Sequence, residues 1–251
     1  VAEKIVTTDS DETLTRRERD QRRREQDILS GALRLILDEG FSTFSMERLA
    51  EAAGYSRAAI YYYFPCKEEV VIALAIEATR RRIELSRLVP GFDARPRERF
   101  VALGEASVVL YPDLFNMEML AYTRAFRDRT SEERRRELGE LEMAGYEIGA
   151  EVVRNAIECG DLELPEGMTP EEFVFGHWIM VAGILGAKGT MEPLAQLGIV
   201  DLNAPMRRFT RTMADGFGWR PLSDEWDYRA TMRRIYTELF TPVVIDRIKR
   251  F

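Results

Sequence analysis

From Arg16 almost to the end of the chain, apolar positions recur at helical spacing, and no stretch shows the strict alternation of a half-buried strand. Residues 1–15 are polar and aperiodic, which predicts a disordered arm. The first helix is expected over Arg16–Glu39, with Ile28, Leu29, Ala32, Leu33 and Ile36 as its inward stripe. Gly40 follows where a left-handed residue closes a helix, and Phe41 supplies the apolar contact beyond it. Ser45 can cap a second helix with the core face Met46, Leu49, Ala50 and Ala53, and Gly54 stops it. Ser56 caps a third helix running to about Phe64, where Pro65 disfavours helical geometry in the residue before it.

A fourth helix is expected over Lys67–Glu84, then a break at Asp93–Pro96 with Pro96 in the first turn of the next helix. Tyr111-Pro112 marks another break. Thr130 with Glu133 fits a capping box opening a long helix that ends near Cys159-Gly160. Thr169-Pro170-Glu171-Glu172 places a cap, a proline and an N3 glutamate in order. Asn203-Ala204-Pro205 opens one further helix, and Ser223 is expected to cap the last long one, which stops before Pro242. The fold class is all-α, divided at 16–66 and 67–251 after the arm.

The length of 251 residues suits one small domain plus a larger one. Hydrophobic residues at 45% and charged residues at 31% are ordinary for a globular chain. The net charge of -7 does not advertise nucleic acid, but DNA needs only a local basic surface. Residues 16–24 supply one, with six arginines against Glu18 and Asp20. Cys66 and Cys159 form no paired motif, so a reducing compartment is expected, without a disulfide framework or zinc cluster. Cys66 stands at a helix N-terminus, a setting that can lower a thiol pKa and suit redox sensing, but the small-cap reading is preferred. The first 27 residues lack the apolar core of a signal peptide. The longest nearly apolar run, Phe173–Ala187, is shorter than the ~20 residues of a membrane span and contains His177. These features predict a cytoplasmic protein with no membrane partner, no metal and no cofactor.

The short second and third helices, joined by Ala53-Gly54-Tyr55, must pack on the first as a three-helix unit. At ~100° per residue, Arg57, Ala58, Tyr61 and Tyr62 share an arc of ~140° on the third helix, while Ile60, Tyr63 and Phe64 face inward. That outward arc suits DNA. Arg57 can pair with guanine edges or phosphate, Ala58 can touch a thymine methyl, and the tyrosines can bond phosphates. Ser45, Ser56 and Lys67 can bond the backbone beside exposed N–H groups. Arg16 and Arg17 can reach it from the start of the first helix or from the arm.

Residues 28–75 resemble the N-terminal domain of the TetR (tetracycline-repressor) family. The resemblance is carried by Gly40-Phe41, the stretch Met46–Gly54, Ser56, Ile60-Tyr61 and the Phe64-Pro65-x-Lys67 junction. It covers about a fifth of the chain. The chain departs from the usual pattern at Tyr55, Tyr63 and Cys66, so base preference does not transfer.

The resemblance implies a ligand-responsive repressor that binds double-stranded palindromic operator DNA as a homodimer and is released by a small molecule. It also implies that the larger region binds effector and builds the dimer, through helices placed here at about 169–187 and 223–240. Gly176, Ala182, Gly183, Gly186 and Ala187 would allow close helix contact, although a buried core helix within one subunit fits the same pattern. Candidate effector contacts are Phe100, Leu103, Leu114, Phe115, Met117, Leu120, Tyr122, Phe126, Tyr146, His177 and Trp178, whose character favours a hydrophobic or amphipathic effector. Arg124, Arg127 and Arg129 could meet an acidic headgroup, or be plain surface.

Two other functions compete. One is a DNA-binding activator or architectural protein without induction. The other is an all-helical enzyme, but one histidine cannot supply two Glu-x-x-His motifs, and no phosphate loop or nucleophile elbow is present.

Overall fold

The computed structural model describes residues 15–109, 115–187, 194 and 196–249, and among them there is no β-strand. The expected arm at 1–15 lies outside these residues except for Thr15, as does the Tyr111-Pro112 break. The chain divides into two compact units between Val70 and Val71.

In the first unit, α1 (Arg16–Glu39) opens on a capping box, in which Thr15 accepts from Glu18 N and Glu18 accepts from Thr15 N. Those hydrogen bonds hold the Glu18 carboxyl below its ordinary range. The expected stripe Ile28, Leu29, Ala32, Leu33 and Ile36 is buried throughout. Gly40 has φ 83° and ψ 158°, so its φ is positive but its conformation is not the left-handed helical one expected. The chain needs to turn more sharply there, because a 3-10 turn at Phe41–Thr43 follows at once. Ser45 caps α2 (Met46–Ala53) by accepting from Arg48 N. Gly54 is left-handed, and Tyr55 N donates to Ala50 O, which closes α2 and turns the chain into α3 (Arg57–Tyr63). A Cβ at Gly31 would stand 3.0 Å from Ala53 Cβ and 3.1 Å from its Cα, so a side chain there would push α1 and α2 slightly apart. Ile60 and Phe64 are fully buried.

The division between units falls inside α4 (Lys67–Ser86). In the second unit α5 (Pro96–Val109) begins at Pro96 as expected, followed by α6 (Phe115–Tyr122) and the single turn α7 (Arg124–Arg127). The long α8 spans Glu132–Glu158 with Ser131 at its N-cap, one residue later than expected. Thr130 is not the cap, because its hydroxyl donates back to Arg127 O. Thr169 forms the expected capping box with Glu172 and opens α9 (Pro170–Gly186). Helix α10 spans Asn203–Gly216.

The C-terminal expectation needs correction. Ser223 caps no helix: its backbone N–H donates to Asp215 and its hydroxyl accepts from Arg97. Arg97 is almost fully buried, with its guanidinium also donating to Trp219 O and Asp215 Oδ1, and that network fixes the α10–α11 connection. Asp227 instead caps α11 (Tyr228–Arg234), which runs into a π-helical turn at Ile235–Leu239. The helical run stops before Pro242 as expected, but it is not the last, because Pro242 begins α12 (Pro242–Lys249). Phe100, Phe173 and Trp219 form an aromatic core with Val152 and Val153, and Ile235, Leu239 and Phe240 close a second cluster with Leu85 and Phe92. No described helix is long and apolar enough to cross a membrane.

Candidate DNA-binding face and ligand cavity

Helix α3 sorts its residues by face. Arg57 and Ala58 are exposed, as are Tyr61 at 45% and Tyr62 at 71%, while Ile60 and Phe64 fill the core beneath them. Two phenols this exposed are uneconomical in a plain surface helix, since large aromatics normally bury their apolar area. Tyr63 corrects the expected division. It is half-buried rather than core, packs edge-on against Tyr62 at 5.2 Å, and shares a groove with Arg16, Arg17, Asp20, Gln21, Arg24 and Tyr62. Arg16, Arg17, Asp20 and Arg24 are spaced at i, i+1, i+4 and i+8, so one face of α1 carries them to the α3 tyrosines. The local charge is positive although the chain is acidic.

The expected serines are at work inside the fold. Ser45 Oγ accepts from Arg48 N at 3.3 Å and Ser56 Oγ accepts from Ala59 N at 3.2 Å. Each cap uses a lone pair, so the hydroxyl hydrogen remains available to a phosphate oxygen. Lys67 is exposed at the start of α4, with its ammonium 5.9 Å from the centre of the Phe41 ring. Tyr55 donates to Asp27 Oδ2, tying the turn to α1. Burial pushes the Cys66 thiol up, and the neighbouring Glu68 carboxylate adds to this, so the lowering expected from a helix N-terminus is overturned.

The second unit holds a cavity of about 100 Å³, or about 760 Å³ when all atom-free space out to its mouth is counted. Helix α4 contributes Arg82, Ile83 and Ser86, and α5 contributes Phe100, Leu103, Gly104 and Ser107. Tyr122 comes from α6, Glu142, Gly145, Tyr146 and Gly149 from α8, and Val174, His177, Trp178 and Val181 from α9. Of the expected contacts, Phe100, Leu103, Tyr122, Tyr146, His177 and Trp178 meet here. Leu120 and Phe126 do not line it: Leu120 is ~200° round α6 from Tyr122, and Phe126 lies beyond the break, on α7. Leu114 lies outside the described residues, as do the side chains of Phe115 and Met117.

The polar wall was missed in the sequence. Arg82 donates to Glu118 at 2.5 Å, in an ion pair whose side chains are 15% and 4% exposed. Burial and the charge of Glu142 push the Tyr122 hydroxyl up, and burial raises the Glu142 carboxyl. Neither Tyr122 Oη nor Glu142 Oε1 completes a hydrogen bond of ordinary geometry, although both are shut off from solvent. His177 sits against Phe100 at 4.5 Å with Nε2 3.1 Å from Thr210 Oγ1, and burial pushes its imidazole down to about 4. It is neutral at physiological pH. Arg124, Arg127 and Arg129 stay outside the lining. Arg124 is 94% exposed and pairs weakly with Asp128. Among the described residues, no group of three or more His, Cys, Asp or Glu could hold a metal ion.

The apolar surface of the second unit is unevenly spread over its helices. Phe175 and Ile179 on α9 are 53% and 49% exposed, and Phe209 on α10 is 53% exposed. By contrast Ile235, Leu239 and Phe240 are buried within the unit. Met143 and Ile157 on α8, and Leu197 and Val200, are exposed too, whereas among the described residues the segment 223–240 exposes no large apolar side chain.

A three-helix unit with an outward recognition helix, followed by a helical unit enclosing a cavity, defines the class of helix-turn-helix regulators. Residues 28–74 match the profile "Bacterial regulatory proteins, tetR family". Residues 28–74 thus match that family's N-terminal domain, and the chain shares the fold of solved TetR-family regulators. It is 42% identical over 59 residues to the HTH-type transcriptional repressor AcnR of Corynebacterium efficiens, a match covering 24% of this chain and 31% of that repressor. The chain thus spans about a third of the length of the curated relative it matches. A TetR/AcrR-family regulator from Thermobifida fusca superposes with a TM-score of 0.59 at 22% identity, over 78% of this chain and 98% of that one. Thermus thermophilus FadR, a TetR-family repressor solved with lauroyl-CoA, superposes with a TM-score of 0.52 at 20% identity, over 76% and 94%.

Proposed function

We propose that the protein is a ligand-responsive transcriptional repressor that binds a palindromic double-stranded operator as a homodimer and is released by a small molecule. The observation that carries this reading is the α3 face: Arg57, Ala58, Tyr61 and Tyr62 point outward beside the basic groove of α1. Arg57 reads a base edge, Tyr62 and Lys67 hold phosphates, and Ser45 and Ser56 donate their hydroxyl hydrogens to the backbone. One copy of so small a reading head makes few base contacts. A two-fold dimer places two in successive major grooves, ~34–36 Å apart. Phe175, Ile179 and Phe209 supply an apolar face for the second copy.

The enclosed cavity supports effector control, as does the acyl-CoA complex of the Thermus thermophilus neighbour. Helix α4 is the lever. It is one helix, with Lys67 in its first turn and Arg82 and Ser86 in the cavity wall near its end. A ligand shifts DNA binding only by its differential affinity for two arrangements of that helix.

The test is fluorescence anisotropy of the full chain on an operator selected from random duplexes and on a scrambled duplex. The expected preference is ~10³-fold or more. Equal affinity for both overturns the reading, and so does a strictly monomeric protein at concentrations that saturate the operator.

A further inference from the structure

We propose that the cavity takes an organic cation, an ammonium group on an apolar or aromatic body, with Glu142 as its counter-charge. This rests on the reading of the cavity as the ligand site. Charge accounting comes first. The Arg82 guanidinium is already matched by Glu118 in a close, nearly dry pair. Glu142 is a further carboxyl, in the cavity lining itself, and once ionised it leaves these three groups with one net negative charge.

Hydrogen bonding points the same way. Glu142 Oε1 and Tyr122 Oη are both shielded from water, and they face each other without completing a hydrogen bond of ordinary geometry. A buried acceptor left unmade is costly, so a ligand that donates to it binds with that cost recovered. An ammonium offers up to three N–H donors, enough for the carboxylate and the phenol together. A hydrocarbon offers none, and a carboxylate ligand would meet like charge.

The remaining walls suit a cation as well. Trp178 stands edge-on to Tyr122 at 5.7 Å and to Tyr146 at 6.1 Å between ring centres, so aromatic faces and edges bracket the acid. Ring faces attract cations, most strongly where water is excluded.

The experiment is isothermal titration of the full chain with three probes of matched size: 3-phenylpropylammonium, 3-phenylpropan-1-ol and 3-phenylpropionate. The ammonium is expected to bind at least ~10-fold tighter than the alcohol, which is ~1.4 kcal/mol, with the propionate weakest. Glu142→Gln keeps the side-chain shape and is expected to bring the ammonium within about twofold of the alcohol, a residual well below a single tenfold step. The ranking on the unaltered chain needs no variant to fold. The proposal is overturned if the alcohol or propionate binds as tightly as the ammonium. It is equally overturned if none of the three binds, or if the preference survives in a folded Glu142→Gln protein. Repeating the operator titration with each probe separates this proposal from the one beneath it. Release by the alcohol or propionate alone keeps the switch and overturns the cation. Tight ammonium binding without any change in operator affinity keeps the cation and overturns the switch.

Discussion

The helix-turn-helix unit and the cavity unit are built on opposite principles. In the first, each element is set by its own neighbours: Ser45 and Ser56 cap, Gly54 turns, and Ile60 and Phe64 anchor a seven-residue helix. In the second, the functional wall is assembled from α4, α5, α6, α8 and α9, whose contributing residues lie as far apart as Arg82 and Val181. A local design holds one surface rigidly for a fixed partner. A distributed design leaves a space whose shape depends on several helices at once, which is what a switch needs.

The sharpest way to break the contrast is to empty the core of the first unit. Phe64 is fully buried, so Phe64→Ala is expected to cost ~3–5 kcal/mol, and operator binding should vanish while the cavity still binds its ligand. Operator binding that survives this substitution would show that α3 is not held by its own core. Circular-dichroism melts and ligand titration of the same sample decide it.

Acid should act on the second unit through His177. Its folded imidazole sits at about 4, whereas an unfolded histidine titrates near ~6.5. The unfolded chain therefore takes up the proton first as the pH falls. Stability from the neutral imidazole is complete above ~6.5 and is lost progressively toward pH ~4, a loss on the order of 3 kcal/mol. Urea melts between those limits should fall more steeply for the natural chain than for His177→Gln. Parallel slopes would show that the imidazole is not buried as a neutral group.

On the DNA face, Arg57→Ala should weaken operator binding by ~1–3 kcal/mol and random-duplex binding much less. Tyr62→Ala and Lys67→Ala should weaken both alike. An equal loss on both duplexes for Arg57 would make it a phosphate contact. The smallest effect is that of the cap. Ser56→Ala removes the acceptor for Ala59 N and should cost ~1 kcal/mol in a chemical melt.

The same contrast governs what the sequence discloses. Caps at Ser45, Ser56 and Thr169 are local patterns and stand where the residues place them. Ser223 looked like a cap for the same reason. What claims it is Arg97, more than a hundred residues earlier, and no local pattern carries that. The aromatic lining was legible because large apolar residues on helices bury somewhere, and Phe100, Tyr122, Tyr146 and Trp178 bury here. Arg82, Glu118 and Glu142 were not legible. Each reads alone as a charged residue on a helix surface, and only tertiary packing turns them into the polar wall. The exposed Phe209 on α10 was hidden likewise, because periodicity shows that residues are apolar but not which of them stay exposed.

The most direct test of a repressor with a coupled cavity is to measure the affinity of one cavity ligand twice, on the free protein and on the protein saturated with operator. Coupling of 1–3 kcal/mol weakens the ligand ~5–150-fold on DNA, and the ligand must weaken the operator by the same factor. Such a matched pair of factors is the expected result. Ligand affinities that agree within error, with and without operator, would contradict it.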